Sequence, residues 1–134
     1  MTAITLENRL AIHELIAQYS FRVDNYRGED WADLFLPDGK LLGKDIELVG
    51  HAAFVGQSDK LRAGATEYRH VITNVYVEEG ASNESAVARA YGTVADWATT
   101  PAAMSLFVEY RFDLRKSGEQ WKIAELQVHM PYSD

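Results

Sequence analysis

The sequence contains no cysteine, and it has neither a long hydrophobic run nor an excess of positive charge. Without cysteine the chain forms no disulfide, offers no thiolate nucleophile and provides no cysteine ligand for a metal. No stretch is long and apolar enough to span a bilayer, and the N-terminus lacks the basic and apolar regions of a signal peptide. We therefore predict a cytoplasmic protein without a membrane partner.

The charge balance is acidic, with a formal net charge of −7 in 134 residues. Binding to nucleic-acid phosphates requires clustered lysine and arginine, so this balance argues against a nucleic-acid partner. Hydrophobic residues make up 47% and charged residues 25%, which is typical of a globular domain. The length, without repeats or linkers, favours a single domain over residues 1–134.

The first part of the chain has the apolar periodicity of a helix. This helix is predicted to begin after Thr5, a suitable N-cap, and to loosen at Asp24 and Asn25. Two adjacent apolar stripes run along it. They consist of Leu6, Leu10, His13 and Ala17, and of Ile12, Ile16, Tyr19 and Val23.

Shorter elements are predicted after this helix. The spacing of Trp31, Leu34 and Phe35 indicates a second helix that ends at the proline–aspartate–glycine run of residues 37–39. Two short strands are predicted within residues 40–55. A third short helix is then predicted over residues 58–62.

The remainder of the chain has the period-two alternation of β-strands. The stretch 67–79 is rich in β-branched and aromatic residues and is bounded by Gly64 and Gly80. Alternation would place His70, Ile72, Asn74 and Tyr76 on one face, and Val71, Thr73, Val75 and Val77 on the other. Short turns to three further strands predict an antiparallel meander. Helices followed by such a sheet predict an α+β fold, with the sheet curled around the N-terminal helices.

Few residues of this chain are suited to chemistry. There is no glycine-rich phosphate loop and no serine-nucleophile motif, and the four histidines lie far apart without ligands at metal spacing. We therefore predict neither a metal nor a cofactor. The face that carries His70 mixes polar with apolar side chains, which suits a pocket better than a packed core. The type of catalysis that the residues still allow is acid–base chemistry by His70 and a carboxylate.

Asp24 is the best candidate for that carboxylate. It falls at the C-terminal end of the first helix, where the macrodipole disfavours negative charge, and apolar Phe21 and Val23 precede it. Both effects would raise the pKa of Asp24 towards the range of a general base. Two structural alternatives remain open. Asp24 and Asn25 could form a solvated turn, and His70 could be a core histidine bonded to a backbone carbonyl.

Short motifs along nearly the whole chain carry a family resemblance. They are Tyr19 with Asp24 five residues on, Trp31 with Leu34, Phe35, Asp38 and Gly39, the run Arg69-His70-x-x-Thr73-Asn74, the pair Glu109-Tyr110, and Gly118-x-x-Trp121-Lys122-Ile123. These motifs resemble the SnoaL-like branch of the nuclear transport factor two-like superfamily, which includes scytalone dehydratase, bile-acid dehydratase and hexachlorocyclohexane dehydrochlorinase. The resemblance implies a cone-shaped α+β barrel. In this fold a curved mixed or antiparallel sheet wraps around the N-terminal helices and leaves a hydrophobic cavity.

The resemblance also implies a function. Asp24 and His70 match the family's Asp–His dyad and Tyr19 matches a tyrosine of the dehydratases, which work without a cofactor. The chain would then be a lyase of the dehydratase type or an isomerase acting on a small hydrophobic cyclic or polycyclic substrate. The alternative is a non-catalytic module of the same fold that binds a hydrophobic ligand or assembles subunits.

Further residues follow from strand parity and from the positions that line the pockets of relatives. The predicted substrate-binding residues are Leu41, Tyr68, Asn74, Tyr91, Leu106 and Leu126. Some relatives carry a cationic residue late in the last strand, where this chain has Leu126, with Gln127 and His129 nearby. The family forms dimers and trimers, so we predict a homodimer or homotrimer. An exposed apolar patch of Val71, Val75, Val77 and Trp97 is the predicted contact.

Overall fold

The computed structural model describes residues 3–132 and has helices packed against a six-stranded sheet. The ends of the predicted domain, at residues 1 and 134, lie outside the described residues. The elements in chain order are α1 (Leu6–Asp24), α2 (Gly28–Ala32), β1 (Phe35–Leu42), β2 (Glu47–Val49), α3 (His51–Ala63), β3 (Tyr68–Glu79), β4 (Ser85–Asp96), β5 (Ala103–Ser117) and β6 (Gln120–His129). No helix among the described residues has the length and hydropathy needed to cross a membrane.

The strands lie in the order β2-β1-β6-β5-β4-β3. Strands β3 to β6 form the predicted antiparallel meander, because each pairs with the next along the chain. Strand β1 pairs parallel to β6, so the sheet is mixed. It is curved but does not close, and the predicted α+β class with N-terminal helices is confirmed.

Helix α1 has the predicted limits. The Thr5 side chain accepts a hydrogen bond of 3.1 Å from the Asn8 backbone N–H and caps the helix, which ends at Asp24. One of the two predicted stripes faces the sheet and is buried. The other stripe, with Leu6, Leu10, His13 and Ala17, is exposed. The helix is thus anchored along the stripe that contains Tyr19.

The prediction of a second helix over Trp31 to Phe35 is wrong at its end. Helix α2 stops at Ala32, and Phe35 already begins β1, which continues through Pro37. The proline–aspartate–glycine run of residues 37–39 therefore does not end a helix. These residues form an irregularity within the strand, where the register of β1 against β6 shifts between Phe35 and Lys40.

The boundary between the next strand and helix also differs from the prediction. Strand β2 ends at Val49, and residues 51–55 are helical, so α3 is thirteen residues long. A short apolar run does not distinguish a strand from a helix by periodicity alone. Gly50, with φ of 84°, redirects the chain at this point, and Phe54 and Ser58 then face the core one helical turn apart.

The unbroken alternation predicted for β3 is also wrong. Asn74 has φ of 57°, and the register of β3 against β4 shifts between Thr73 and Tyr76. Such a bulge adds an unpaired residue and reverses the faces beyond it. Val77 therefore points inward and is buried, while Tyr76 points outward and is 53% exposed. The apolar patch predicted for self-association loses Val75 and Val77 for the same reason.

Candidate active site

Asp24 lies buried at the end of α1 against β3. Its Oδ2 accepts a 2.7 Å hydrogen bond from the backbone N–H of His70, and its Oδ1 lies 2.6 Å from the imidazole Nδ1 of the same residue. A solvated turn is excluded, because Asp24 is only 9% exposed. The neighbouring Asn25 is exposed and instead donates to the Phe21 carbonyl oxygen. Burial of a carboxylate is costly unless hydrogen bonds compensate it, and His70 supplies both contacts.

The contact with Asp24 fixes the role of each imidazole nitrogen of His70. A carboxylate favours the proton on Nδ1, which leaves Nε2 as the basic nitrogen. The His70 side chain is 14% exposed and lies in the wall of a cavity. Its Nδ1 partner is a carboxylate, so the alternative of a core histidine bonded to a backbone carbonyl does not hold.

The cavity beside His70 has a volume of about 170 Å³. Side chains from α1, α2, α3 and the sheet form its wall. The lining residues are Tyr19, Val23, Trp31, Leu41, Ile46, Gln57, Leu61, Tyr68, His70, Val94, Leu106, Val108, Tyr110 and Val128. Apolar side chains predominate, and the polar side chains are those of His70, Gln57 and the three tyrosines. This composition is typical of a site for a small apolar molecule with a few polar groups.

Tyr19 lies at the centre of an aromatic cluster in this wall. Its ring is 6.1 Å from the His70 ring, 6.0 Å from the Trp31 ring and 6.3 Å from the Tyr110 ring, measured between centroids. Burial is the main cause that raises the pKa of Tyr19 well above its ordinary value of 10.0, and the nearby Tyr110 and Asp24 raise it further. The hydroxyl therefore stays protonated and can act as a hydrogen-bond donor.

Tyr110 is a second buried phenol in the wall. Burial raises the pKa of Tyr110, and the charge of Asp24 adds to the effect. Gly92 on β4 makes room for it, because a Cβ at Gly92 would lie 2.3 Å from a carbon of the Tyr110 ring. The glycine in the middle of β4 thus allows Tyr110 to occupy its place beside the cavity.

The structure brings together only some of the predicted site residues. Tyr19 and His70 line one cavity with the predicted substrate-binding residues Leu41, Tyr68 and Leu106, and Asp24 lies behind His70. Whether these residues act on a substrate stays a prediction. The other predicted substrate-binding residues lie elsewhere.

Asn74 and Tyr91 lie on the opposite face of the sheet, along an outer groove. The bulge at Asn74 turns this residue outward. Tyr91 is one of the β4 residues whose side chains point outward, and its ring lies 5.9 Å from that of Phe107. Leu126 is fully buried in the core and does not line the cavity. The predicted cavity position of these three residues is thus corrected.

The end of β6 contributes no positive charge to the cavity. Leu126 is buried in the core, and Gln127 and His129 line the outer groove. The next inward residue, Val128, lines the cavity. Neither lysine nor arginine occurs among the cavity-lining residues within positions 3–132.

Several lining residues were not predicted from the sequence. Val108 and Tyr110 share the parity of Leu106 on β5, so the alternation could have identified them. Trp31 and Gln57 gave no such signal, because helix positions reach the cavity only through the packing of α2 and α3.

The sequence model of the SnoaL-like domain matches residues 5–127 of this chain. No curated protein sequence matches it significantly. Among solved structures, an NTF2-like protein with a cystatin-like fold from Novosphingobium aromaticivorans has a TM-score of 0.88 at 22% identity, covering 96% of this chain and 85% of that one. A protein of unknown function from Mycobacterium tuberculosis has a TM-score of 0.81 at 26% identity, covering 89% of this chain and 69% of that one.

A further similar structure, also from Novosphingobium aromaticivorans, is provisionally named a scytalone dehydratase. Its TM-score is 0.76 at 20% identity, and the alignment covers 90% of this chain and 81% of that one. At this level of identity the likeness establishes the shared fold and leaves the chemistry to be argued from the site.

Proposed function

The chain belongs to the SnoaL-like domain family, and from that premise we propose that it is a cofactor-independent lyase or isomerase. The reaction is a dehydratase-like β-elimination or the shift of a double bond in a small hydrophobic cyclic molecule. The observation that supports this proposal is the buried Asp24–His70 pair in the wall of an apolar cavity.

In the proposed reaction His70 is the general base. Its Nε2 removes a proton from a carbon next to a carbonyl or leaving group, and Asp24 stabilises the imidazolium that forms. The contact between Asp24 and Nδ1 measures 2.6 Å, so the ring is held in the tautomer that this step needs. The same imidazolium can return its proton to another carbon in an isomerisation, or to a departing hydroxyl in an elimination.

Tyr19 is the proposed hydrogen-bond donor in this reaction. Its phenol lies next to His70 and stays protonated, because burial raises its pKa. It can donate to a carbonyl oxygen or to the departing hydroxyl of the substrate. A donor of this kind stabilises developing negative charge most strongly in a site of low dielectric.

Proton abstraction can be tested without knowledge of the natural leaving group. Cyclic ketones would be incubated with the protein in D₂O, and exchange at the carbon next to the carbonyl would be followed by proton NMR. We expect exchange with the native protein and a loss on the order of 10²–10⁴-fold in His70→Gln. The matched control is His13→Gln, since His13 is exposed on α1 and should not affect exchange.

Equal rates for native protein and His70→Gln on every ketone, and on hydroxylated cyclic substrates assayed for water loss, would contradict the proposed reaction. The alternative function, a ligand-binding or subunit-assembly module of the same fold, would then be favoured.

A further inference from the structure

Gln57 is a polar residue on the face of α3 that packs against the core. Phe54, Ser58 and Leu61 lie on the same face at helical spacing, and the first two are buried. Gln57 itself is half-buried and lines the cavity that His70 also lines. The residue therefore keeps surface that a molecule in the cavity can contact.

The side-chain amide of Gln57 makes no hydrogen bond to any residue within positions 3–132. Two exposed glutamines differ in this respect, since Gln18 accepts from Arg22 and Gln127 donates to Glu125. An amide contains both a donor and an acceptor, and leaving them unpaired next to apolar side chains costs free energy. A polar group of a ligand can supply the missing hydrogen bond.

Gln57 and His70 belong to opposite sides of the cavity. Helix α3 packs on α2 and lies next to β1 and β2, at one edge of the sheet. His70 lies on β3, at the other edge, where α1 packs. Because the sheet is curved, the cavity lies between these two edges, and the side chains that line it between them are mostly apolar. A ligand that contacts both residues therefore extends across the cavity.

The cavity also restricts the size and charge of its ligand. Its volume of about 170 Å³ is close to that of an apolar cavity of roughly 150 Å³ that accommodates one benzene ring. Within the described residues it is lined by neither lysine nor arginine, and the carboxylate of Asp24 lies behind His70. An anion would lose its hydration without gaining a positive partner. A single uncharged ring with a polar group at each end fits these conditions.

We propose that Gln57 determines substrate specificity by binding a second oxygen substituent, at the end of the ring far from the carbon that His70 deprotonates. The inference rests on the proposed function and narrows its substrate class to an uncharged ring with two oxygen substituents. The amide can donate to a carbonyl or hydroxyl oxygen and can accept from a hydroxyl. The contact is the same in the bound substrate and in the transition state, so it contributes affinity without changing the rate of the chemical step.

The test compares two ketones that differ only at the far end of the ring. 4-Hydroxycyclohexanone carries the second oxygen, and 4-methylcyclohexanone has a methyl group of similar size in its place. Gln57→Met removes the amide and keeps the length of the side chain. In NMR titrations we expect Gln57→Met to lower the affinity for the hydroxyketone relative to the methylketone about tenfold, which corresponds to one good hydrogen bond. Gln120→Met, at an exposed position outside the cavity, is the matched control and should leave this ratio unchanged.

An unchanged ratio in Gln57→Met, or failure of both ketones to bind the native protein, overturns the inference. The exchange assay provides a separate measurement. With 4-hydroxycyclohexanone, Gln57→Met should raise KM about tenfold at unchanged kcat, because only binding is affected, whereas His70→Gln should lower kcat. A changed affinity ratio without exchange by the native protein contradicts the proposed reaction alone. Exchange that depends on His70, with no change in the ratio, contradicts the role of Gln57 alone.

The stability of Gln57→Met distinguishes a ligand-binding role from a structural one. An unpaired amide contributes no hydrogen bond to the fold, so the variant should unfold at the same or a higher urea concentration than the native protein. If the variant is less stable or does not fold, NMR of the native protein decides. The side-chain amide signals of Gln57 should then shift with 4-hydroxycyclohexanone more than with 4-methylcyclohexanone, and equal shifts would overturn the inference.

Discussion

Both carboxylate oxygens of Asp24 are used by one residue. Oδ2 contacts the backbone N–H of His70, and Oδ1 contacts its ring. The backbone contact ties the end of α1 to β3, and the ring contact selects the tautomer. Asp24 is accordingly an orienting residue, and its removal should affect chemistry and structure to different degrees.

Asp24→Asn is expected to keep the fold and abolish most activity. The amide has one oxygen, which can accept from the His70 backbone N–H, so its NH₂ group must face Nδ1. This contact requires an unprotonated Nδ1 and moves the proton to Nε2, where it blocks the base. We expect a loss on the order of 10²–10⁴-fold in ketone exchange, with the nitrogen chemical shifts of His70 reporting the changed tautomer.

The stability of Asp24→Asn should differ from that of native protein by less than about 1 kcal/mol. The substitution removes a buried negative charge at a helix C-terminus while both contacts persist. Urea unfolding measures this difference, with Asn25→Ala as the control at the adjacent exposed position. Full activity in Asp24→Asn, or strong destabilisation with activity retained, would contradict the orienting role.

The two buried phenols make stability depend on alkaline pH. Above pH 10.0, the ordinary pKa of tyrosine, the unfolded chain releases protons that Tyr19 and Tyr110 retain in the folded protein. The folded state then binds more protons, so the free energy of unfolding falls as pH rises, by about 1.4 kcal/mol per pH unit for each phenol. Below about pH 9 these residues should cause no pH dependence.

Tyr110→Phe should therefore reduce the alkaline slope of stability, measured by urea unfolding at a series of pH values. The slope is compared between proteins, so a change in stability at neutral pH does not affect the result. Tyr132→Phe is the control, because Tyr132 is exposed. An unchanged slope in Tyr110→Phe would indicate that the phenol ionises in the folded state as readily as in the unfolded chain.

At the scale of elements, the bulge in β3 decides which side chains face the cavity. His70 and Ile72 precede the bulge and face inward. Val77 follows the bulge and also faces inward. A bulge of this kind bends its strand and increases the local twist. Asn74 is a residue type that tolerates the left-handed conformation found there.

Replacement of Asn74 should reveal this conformational requirement. Asn74→Val is expected to lower the free energy of unfolding by about 1–3 kcal/mol, because a β-branched residue is strained at positive φ. Asn74→Gly should remain within about 1 kcal/mol of the native protein. Urea unfolding measures both variants.

Thr73→Val is the control for this experiment, since Thr73 is an exposed neighbour without positive φ. If Asn74→Val and Thr73→Val had equal stability, the bulge would not depend on the conformational freedom of Asn74.

At the scale of the whole molecule, none of the helices within residues 3–132 covers the outer face of the sheet. Val71 on β3 and Phe107 on β5 are exposed apolar side chains on this face, on either side of half-buried Thr93 on β4. Farther along the same face Arg89 pairs with Glu78, and Arg111 pairs with Asp113. We propose that self-association uses this face, because exposed apolar side chains on it could pack against the same side chains of a second copy.

Phe107→Lys should convert the oligomer to a monomer or weaken association at least tenfold, because an unpaired charge would be buried in the contact. Sedimentation velocity at micromolar concentration measures the state. Leu10→Lys is the matched control, since Leu10 is 62% exposed on the other side of the molecule, on α1. A monomeric native protein would refute the proposal, and dissociation by Leu10→Lys alone would move the contact to α1.

Much of this protein follows from the sequence alone. The limits of α1, the meander of β3 to β6 and the α+β class arise from local signals such as the Thr5 cap and the period-two alternation. The same signals place Asp24 at a helix end and His70 on a strand. Signals of this kind act between residues that are close in the chain, so they can be recognised without knowledge of the packing.

Only the tertiary structure decided which of these residues meet. The 46-residue separation of Asp24 and His70 closes to 2.6 Å because α1 packs on β3. One extra residue at Asn74 reverses the faces of β3, and no alternation pattern reveals where that residue is inserted. Trp31 reaches the cavity through the packing of a five-residue helix that has no strong periodicity of its own. Contacts between distant segments depend on the packing of the whole chain, and a local sequence pattern does not predict that packing.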